Sequence, residues 1–157
     1  MKTINVKGFG LLSESIVTIR NPGQSFTCRE VHSSLNVQND VLSDIAFVKL
    51  DKGYYPEGNA CDFSISIQTK ASPNGFLLEL KGCGIKHAVE QLNVTLQRLR
   101  NSGVTVQYKK AYVVSSGAQS FPSAQWQKLQ QRFIKANKVC LNRYHNNGQI
   151  LFSEAIA

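Results

Sequence analysis

No run of apolar residues in this chain is long enough to cross a bilayer, so no membrane partner is expected. The opening segment, MKTINVKGFGLLSESIV, lacks both a long apolar core and a small-residue cleavage site, and the expectation is a cytoplasmic chain without a secretory signal. Cysteine is scarce and unpatterned: Cys28, Cys61, Cys83 and Cys140 form no CxxC pair, which points to reduced thiols, three of them near apolar runs. Cys83 and His87 have a C-x3-H spacing, but no second pair accompanies them, so a zinc site is not expected. Internal repeats and low-complexity segments are absent. Acidic residues are few, 10 against 18 Lys and Arg, for a formal net charge of +8. That balance favours an anionic partner, nucleic acid or an acidic protein. The charged fraction is ordinary at 18%, and no block of like charges stands out.

What is present describes one domain over residues 1–157, long enough to bury a core, with 42% hydrophobic residues. TINV and SIVTIR are short β-like runs that end at the turn signal Asn21-Pro22-Gly23. Residues 24–60 have no clear period: VLSDIAFVKL fits a strand or a short helix, and GYYPEGN a loop. CDFSISIQ alternates strictly, with Phe63, Ile65 and Ile67 on one face. After a loop punctuated by Pro73, Asn74 and Gly75, FLLELK reads as a second strand, and the two make an antiparallel hairpin. Ile85, Ala88, Val89, Leu92, Leu96 and Leu99 recur at helical spacing, with Gly103 just past the helix end. VTVQYKKAYVVSS predicts a strand. Ser123 is the expected N-cap of a helix that turns Trp126, Leu129 and Phe133 inward. Asn146-Asn147-Gly148 is a turn before a last strand, QILF. The order predicts an α/β domain with a central mixed sheet flanked by helices.

The FLLELK strand carries charges in apolar company. Phe76, Leu78 and Leu80 share one face; Leu77, Glu79 and Lys81 share the other, as in a central strand. A buried isolated carboxylate or ammonium costs several kcal/mol or more, so these groups need partners, a metal or a solvated cleft. In the hairpin Asp62 falls on the face of Glu79 and Lys81. It stands either directly opposite Glu79 or diagonal to it, and both registers bring the two carboxylates within sharing distance of a cation. Two carboxylates with an adjacent lysine suit Mg²⁺ or Mn²⁺ and metal-assisted phosphodiester hydrolysis. Acyl transfer is not supported, because no nucleophile with a nearby base is identifiable. The same string also fits a structural Asp–Lys or Glu–Lys pair closing the hairpin.

Asp62, sixteen intervening residues, then Glu79-Leu80-Lys81, on consecutive strands followed by a helix, resembles the PD-(D/E)XK nuclease superfamily. The strings Cys61-Asp62-Phe63, Glu79-Leu80-Lys81-Gly82, His87-Ala88 and Gln91 are similar to those of small bacterial and phage members. The likeness covers about residues 45–115. It implies a restriction-endonuclease-like core, Asp62 and Glu79 as Mg²⁺ or Mn²⁺ ligands, Lys81 as the catalytic lysine and Gln91 lining the site. It also implies a DNA substrate more than RNA, and a role in defence, mobile-element or phage biology. Cys61 stands where the family has its leading proline. An upstream acidic ligand, Glu30 or Glu14, stays open.

His87 lies one turn before Gln91 on the same helix flank and is a candidate for contacting nucleic acid. Lys109 and Lys110 on one strand, and Lys128, Arg132 and Lys135 on the last helix, are candidate phosphate contacts; a solvated helix face explains the latter three equally. Tyr108 and Trp126 are candidates for base stacking or for the core, Trp126 being in phase with Leu129 and Phe133. A homodimer would suit cleavage of both strands. Two other readings use the same scaffold: a non-catalytic module that binds nucleic acid or protein, and an accessory subunit that cuts only with a partner protein.

Overall fold

Alternation of apolar and polar residues, strict in CDFSISIQ, favours strands, and the computed structural model has eleven of them among its described residues. It describes residues 2–69, 72–81, 84–116 and 121–157, with Lys81 described by its backbone alone. The strands are β1 (Thr3–Val6), β2 (Gly10–Ser13), β3 (Val17–Arg20), β4 (Ser25–Glu30), β5 (Ser33–Gln38), β6 (Ile45–Lys49), β7 (Phe63–Ile67), β8 (Asn74–Lys81), β9 (Gln107–Ser115), β10 (Cys140–His145) and β11 (Asn147–Leu151). The helices are α1 (Ile85–Asn101), α2 (Ser123–Asn137) and α3 (Phe152–Ala155), with a single 3-10 turn at Glu14–Ile16.

Six strands form a mixed sheet in the order β10-β9-β8-β7-β6-β3. From β3 to β8 the pairs are antiparallel, and from β8 to β10 they are parallel. The parallel pairs need long crossovers, which α1 and α2 supply. β8 lies between β7 and β9, and both its faces are buried: Leu77 joins the apolar cluster under α1 and α2, while Phe76, Leu78 and Leu80 join a second cluster behind the sheet. Leu92, Leu96 and Leu99 of α1 and Trp126 and Phe133 of α2 close the first cluster.

The expected helical flank exists on one face of the sheet. The other face is covered by a three-stranded sheet, β11-β5-β4, and by α3. There Leu35, Val37, Ile150 and Phe152 pack against Phe47, Ile65, Phe76 and Leu78. The layers run helices, sheet, sheet. The cause is local: in SSLNVQ the apolar positions Leu35 and Val37 alternate with half-buried Ser34, Asn36 and Gln38, a one-sided strand that needs a sheet to lie on.

Three expectations at element ends are corrected. Asn74 and Gly75 open β8 rather than closing a loop. Pro122, not Ser123, holds the cap position of α2, and Ser123 is its first helical residue. Asn147 and Gly148, expected in a turn, open β11, which leaves Asn146 at φ 62° between it and β10, and Phe152 of QILF begins α3. Gly75 is required by close approach: a Cβ there would lie 2.5 Å from the Ile65 carbonyl oxygen. Beside it the β8–β9 register slips, Gly75 facing Tyr108 and Phe76 facing Lys110. Lys109 is the extra residue of this bulge, so Tyr108 and Ala111 both join the cluster under the helices.

Candidate active site

β7 and β8 pair with Phe63 opposite Leu78 and Ser64 opposite Leu77, so one further step sets Asp62 opposite Glu79. The ladder stops there, because Cys61 and Asp62 turn toward the segment after β6: Leu50 N–H donates to Asp62 O (2.9 Å) and Asp51 N–H to Cys61 O (3.2 Å). The Leu80 amide, left without a strand carbonyl on that side, donates instead to Asp62 Oδ2 at 2.7 Å. Strand amides lie in the plane of their sheet, so this carboxylate sits at the rim where β7 leaves β8. Glu79 shares the face of Leu77 beneath the helices and is only 4% exposed.

Two cysteine thiols register the position of these charges. Burial, then Glu79 and Asp62, push the Cys61 thiol well above its ordinary pKa. Burial, then Asp62, raise that of Cys28 on β4.

The helix side of the site is held by Thr95. The Cys61 amide donates to Thr95 Oγ1 (2.8 Å), and that hydroxyl donates to Gln91 O one turn back (2.6 Å). Gln91 thus lies on the α1 flank that touches the residue before Asp62. Its Nε2 is 3.4 Å from Nε2 of exposed His87. One turn beyond Thr95, the Arg98 guanidinium stacks 3.7 Å from the Tyr55 ring centroid, pairs with Glu57, and donates to Gly58 O (3.0 Å) and Asn59 O (2.7 Å). Thr95 and Arg98 together fix residues 57–61, the approach to Asp62. The sequence signal for Thr95 is a lone hydroxyl within an apolar helical stripe.

The chain leaves β8 for α1 through Gly84, whose φ of 79° suits glycine. The backbone of Lys81 pairs with Ser115 of β9; its side chain, and Cys83 with it, lie outside the described residues. Ser64 and Ser66, expected on the polar side of their strand, are fully buried, and Ser64 Oγ lies 2.7 Å from the Tyr108 hydroxyl. Tyr108 is therefore a core residue and not a stacking platform. Trp126, 7% exposed, is likewise core.

The remaining candidates are spread. Lys110 stands opposite Phe76, three residues before Glu79, and its Nζ donates to Glu154 O (2.6 Å). Lys109 is exposed at the bulge. Lys128, Arg132 and Lys135 are exposed along α2. Of the upstream acids, Glu30 is two residues from Cys28 on the same side of β4, and Glu14 lies exposed in the 3-10 turn. Among the described residues, no group of three or more His, Cys, Asp and Glu gathers to hold a metal ion. No described helix is long and apolar enough to cross a membrane. Comparison with protein-family models, with curated proteins and with solved structures finds no match to this chain.

Proposed function

We propose that this protein is a metal-dependent nuclease of the PD-(D/E)XK type, hydrolysing phosphodiester bonds in DNA. The observation that carries the reading is the Asp62 carboxylate bonded to the Leu80 amide, which follows the buried Glu79 on β8. Three antiparallel strands, β6 to β8, followed by a crossover helix and a parallel strand agree with a restriction-endonuclease-like core. The donor set fits a hard divalent ion, which takes one or two carboxylates and completes its shell with water and substrate phosphate. Asp62 and Glu79 would hold Mg²⁺ or Mn²⁺, which supplies Lewis acidity and a more acidic bound water. Lys81 follows Glu79 by two residues on the same strand and is assigned to holding the attacking water and countering charge on the phosphate. Gln91, on the flank tied to Cys61, orients groups entering from the helix side. Thr95 keeps Asp62 in place through Cys61.

A second reading, a binding module without catalysis, is favoured by one observation: Asp62 already has a structural task at the Leu80 amide. Purified protein, with Glu79→Gln and Lys81→Ala variants, separates the two. Cleavage of single-stranded, double-stranded and branched DNA and of RNA is followed with Mg²⁺ and Mn²⁺, and ion binding is measured by calorimetric titration. Wild type is expected to bind Mn²⁺ and cut DNA. Glu79→Gln loses ion binding and cleavage, and Lys81→Ala keeps ion binding while cutting about 10²–10⁴-fold more slowly. Equal cleavage by all three proteins, or no ion binding by the wild type, would defeat the nuclease reading.

A further inference from the structure

Between Glu90 and Glu154 the chain carries no Asp or Glu, yet the same span holds nine of its 18 Lys and Arg. The fold gathers this span: it supplies most of α1, then β9, α2, β10 and β11. Half of the chain's cations thus concentrate on the helical layer and the β9–β10 side of the sheet, on elements that carry no acid of their own after Glu90.

Four of the nine have tasks inside the fold. Arg98 grips residues 57–59, Arg100 donates to Asn137 O, Lys110 donates to Glu154 O, and Arg143 reaches Phe121 O while stacking over Trp126. The other five, Lys109, Lys128, Arg132, Lys135 and Lys138, are exposed. Four of these belong to α2 or its C-cap. Lys138 holds that cap with φ 60° and ψ 33°, a left-handed conformation that favours glycine or asparagine. The chain therefore keeps a lysine where the backbone prefers another residue.

The outward face of α2 interleaves these cations with Gln125, Gln127 and Gln131, whose amides both donate and accept. From Lys128 to Lys138 the row is about 15 Å long at 1.5 Å per residue. That length is enough to meet more than one phosphate of a nucleic-acid strand. A membrane-surface helix would need a free apolar face, but Trp126 and Phe133 of α2 are buried in the core.

We propose that the outward face of α2, with Lys128, Arg132, Lys135 and Lys138, binds the phosphodiester backbone of a nucleic acid. The inference concerns binding and stands whether or not the chain cuts what it binds.

Fluorescence anisotropy in EDTA tests it, with short labelled probes of duplex DNA, single-stranded DNA and duplex RNA, titrated at several salt concentrations. The variants are Lys128→Gln/Arg132→Gln/Lys135→Gln and a control removing equal charge elsewhere, Lys7→Gln/Arg29→Gln/Lys49→Gln; all six side chains are exposed. The α2 variant is expected to bind at least about tenfold more weakly, with a salt slope lower by about 3, one unit per lost phosphate contact. The control should change affinity by less than about twofold if the contacts are local. The probe bound most tightly identifies the nucleic acid. Equal losses in both variants would reduce the effect to net charge and overturn the proposal. So would absence of binding to every probe, or binding of α2 to phosphatidylserine vesicles in place of nucleic acid. Wild type that cuts DNA while the α2 variant binds normally would overturn this proposal and leave the nuclease reading standing; tight binding through α2 without cleavage would do the reverse.

Discussion

Thr95 links the helix to the candidate site through a single hydroxyl that accepts from the Cys61 amide and donates to the Gln91 carbonyl. Thr95→Val keeps the shape and removes the acceptor. The Cys61 amide is then left unpaired inside the protein, at a cost of about 1–3 kcal/mol. Thr95→Ser keeps the hydroxyl. Thermal denaturation should rank wild type and Thr95→Ser above Thr95→Val. Calorimetry should show weaker Mn²⁺ binding for the valine variant alone, because a loosened Cys61 frees Asp62 to shift. A control cavity, Leu99→Ala on the same helix, lowers the melting temperature without moving the Mn²⁺ affinity. At this scale strand alternation left Asp62 either opposite Glu79 or diagonal to it, and the ladder, with Phe63 opposite Leu78, extrapolates to the first. The sequence did not show Thr95, nor the burial of Tyr108 against Ser64, because those partners are 34 and 44 residues distant in the chain. Nor did it show the bond from the Leu80 amide to the Asp62 carboxylate, which depends on the strand leaving its ladder before Phe63.

The short helix α3 is the element whose stability most plainly depends on one side chain. Asp40 accepts from the Ser153 amide (2.9 Å) and from the Ser153 hydroxyl, in the first turn of that helix. Burial is the largest single influence on Asp40 and opposes its ionisation, but the two Ser153 hydrogen bonds and the Asp40 backbone amide together outweigh it and hold the carboxyl below its ordinary 3.8. A lowered folded-state pKa gives stability that is complete above 3.8 and lost as pH falls through the lower, folded value. Asp40→Ala should cost about 1 kcal/mol at neutral pH, as for a helix cap, and the difference from wild type should vanish in strong acid. Urea titrations across that pH range measure it. Elements differed in how readily they showed themselves. α1 was plain because its apolar stripe runs for seventeen residues. β4 and β5 were not, because SFTCRE carries one fully buried apolar side chain, Cys28, and its role appears only when the second sheet lies against the first.

On the scale of the whole molecule, the chain closes late. β11 pairs in parallel with β5, Asn147 meeting Ser34 and Leu151 meeting Gln38, so the partners are more than a hundred residues apart in the chain. Such long-range pairing favours slow folding. The last segment also supplies Ile150, Phe152 and Ala155 to the cluster behind the sheet. A chain ending at His145 forgoes about 3–6 kcal/mol of apolar burial from Ile150 and Phe152, a large part of the usual stability of a domain. Circular dichroism melting should show a broad transition at much lower temperature for that chain; an unchanged sharp transition would mean that the second sheet is dispensable. Charge at this scale was half visible in the sequence. The net excess was plain, but its segregation was not, since the cations of residues 91–153 form no run longer than the pair Lys109-Lys110.

Thiol exposure differs just as sharply. Cys28 and Cys61 are buried with raised pKa values, so little of the reactive thiolate forms in either, whereas Cys140 is exposed two residues past Lys138. With Cys83 exchanged for serine, a maleimide fluorophore would attach at one place, at the end of the basic helix. The dye would give that helix an optical reporter of what settles on it, without adding a foreign residue.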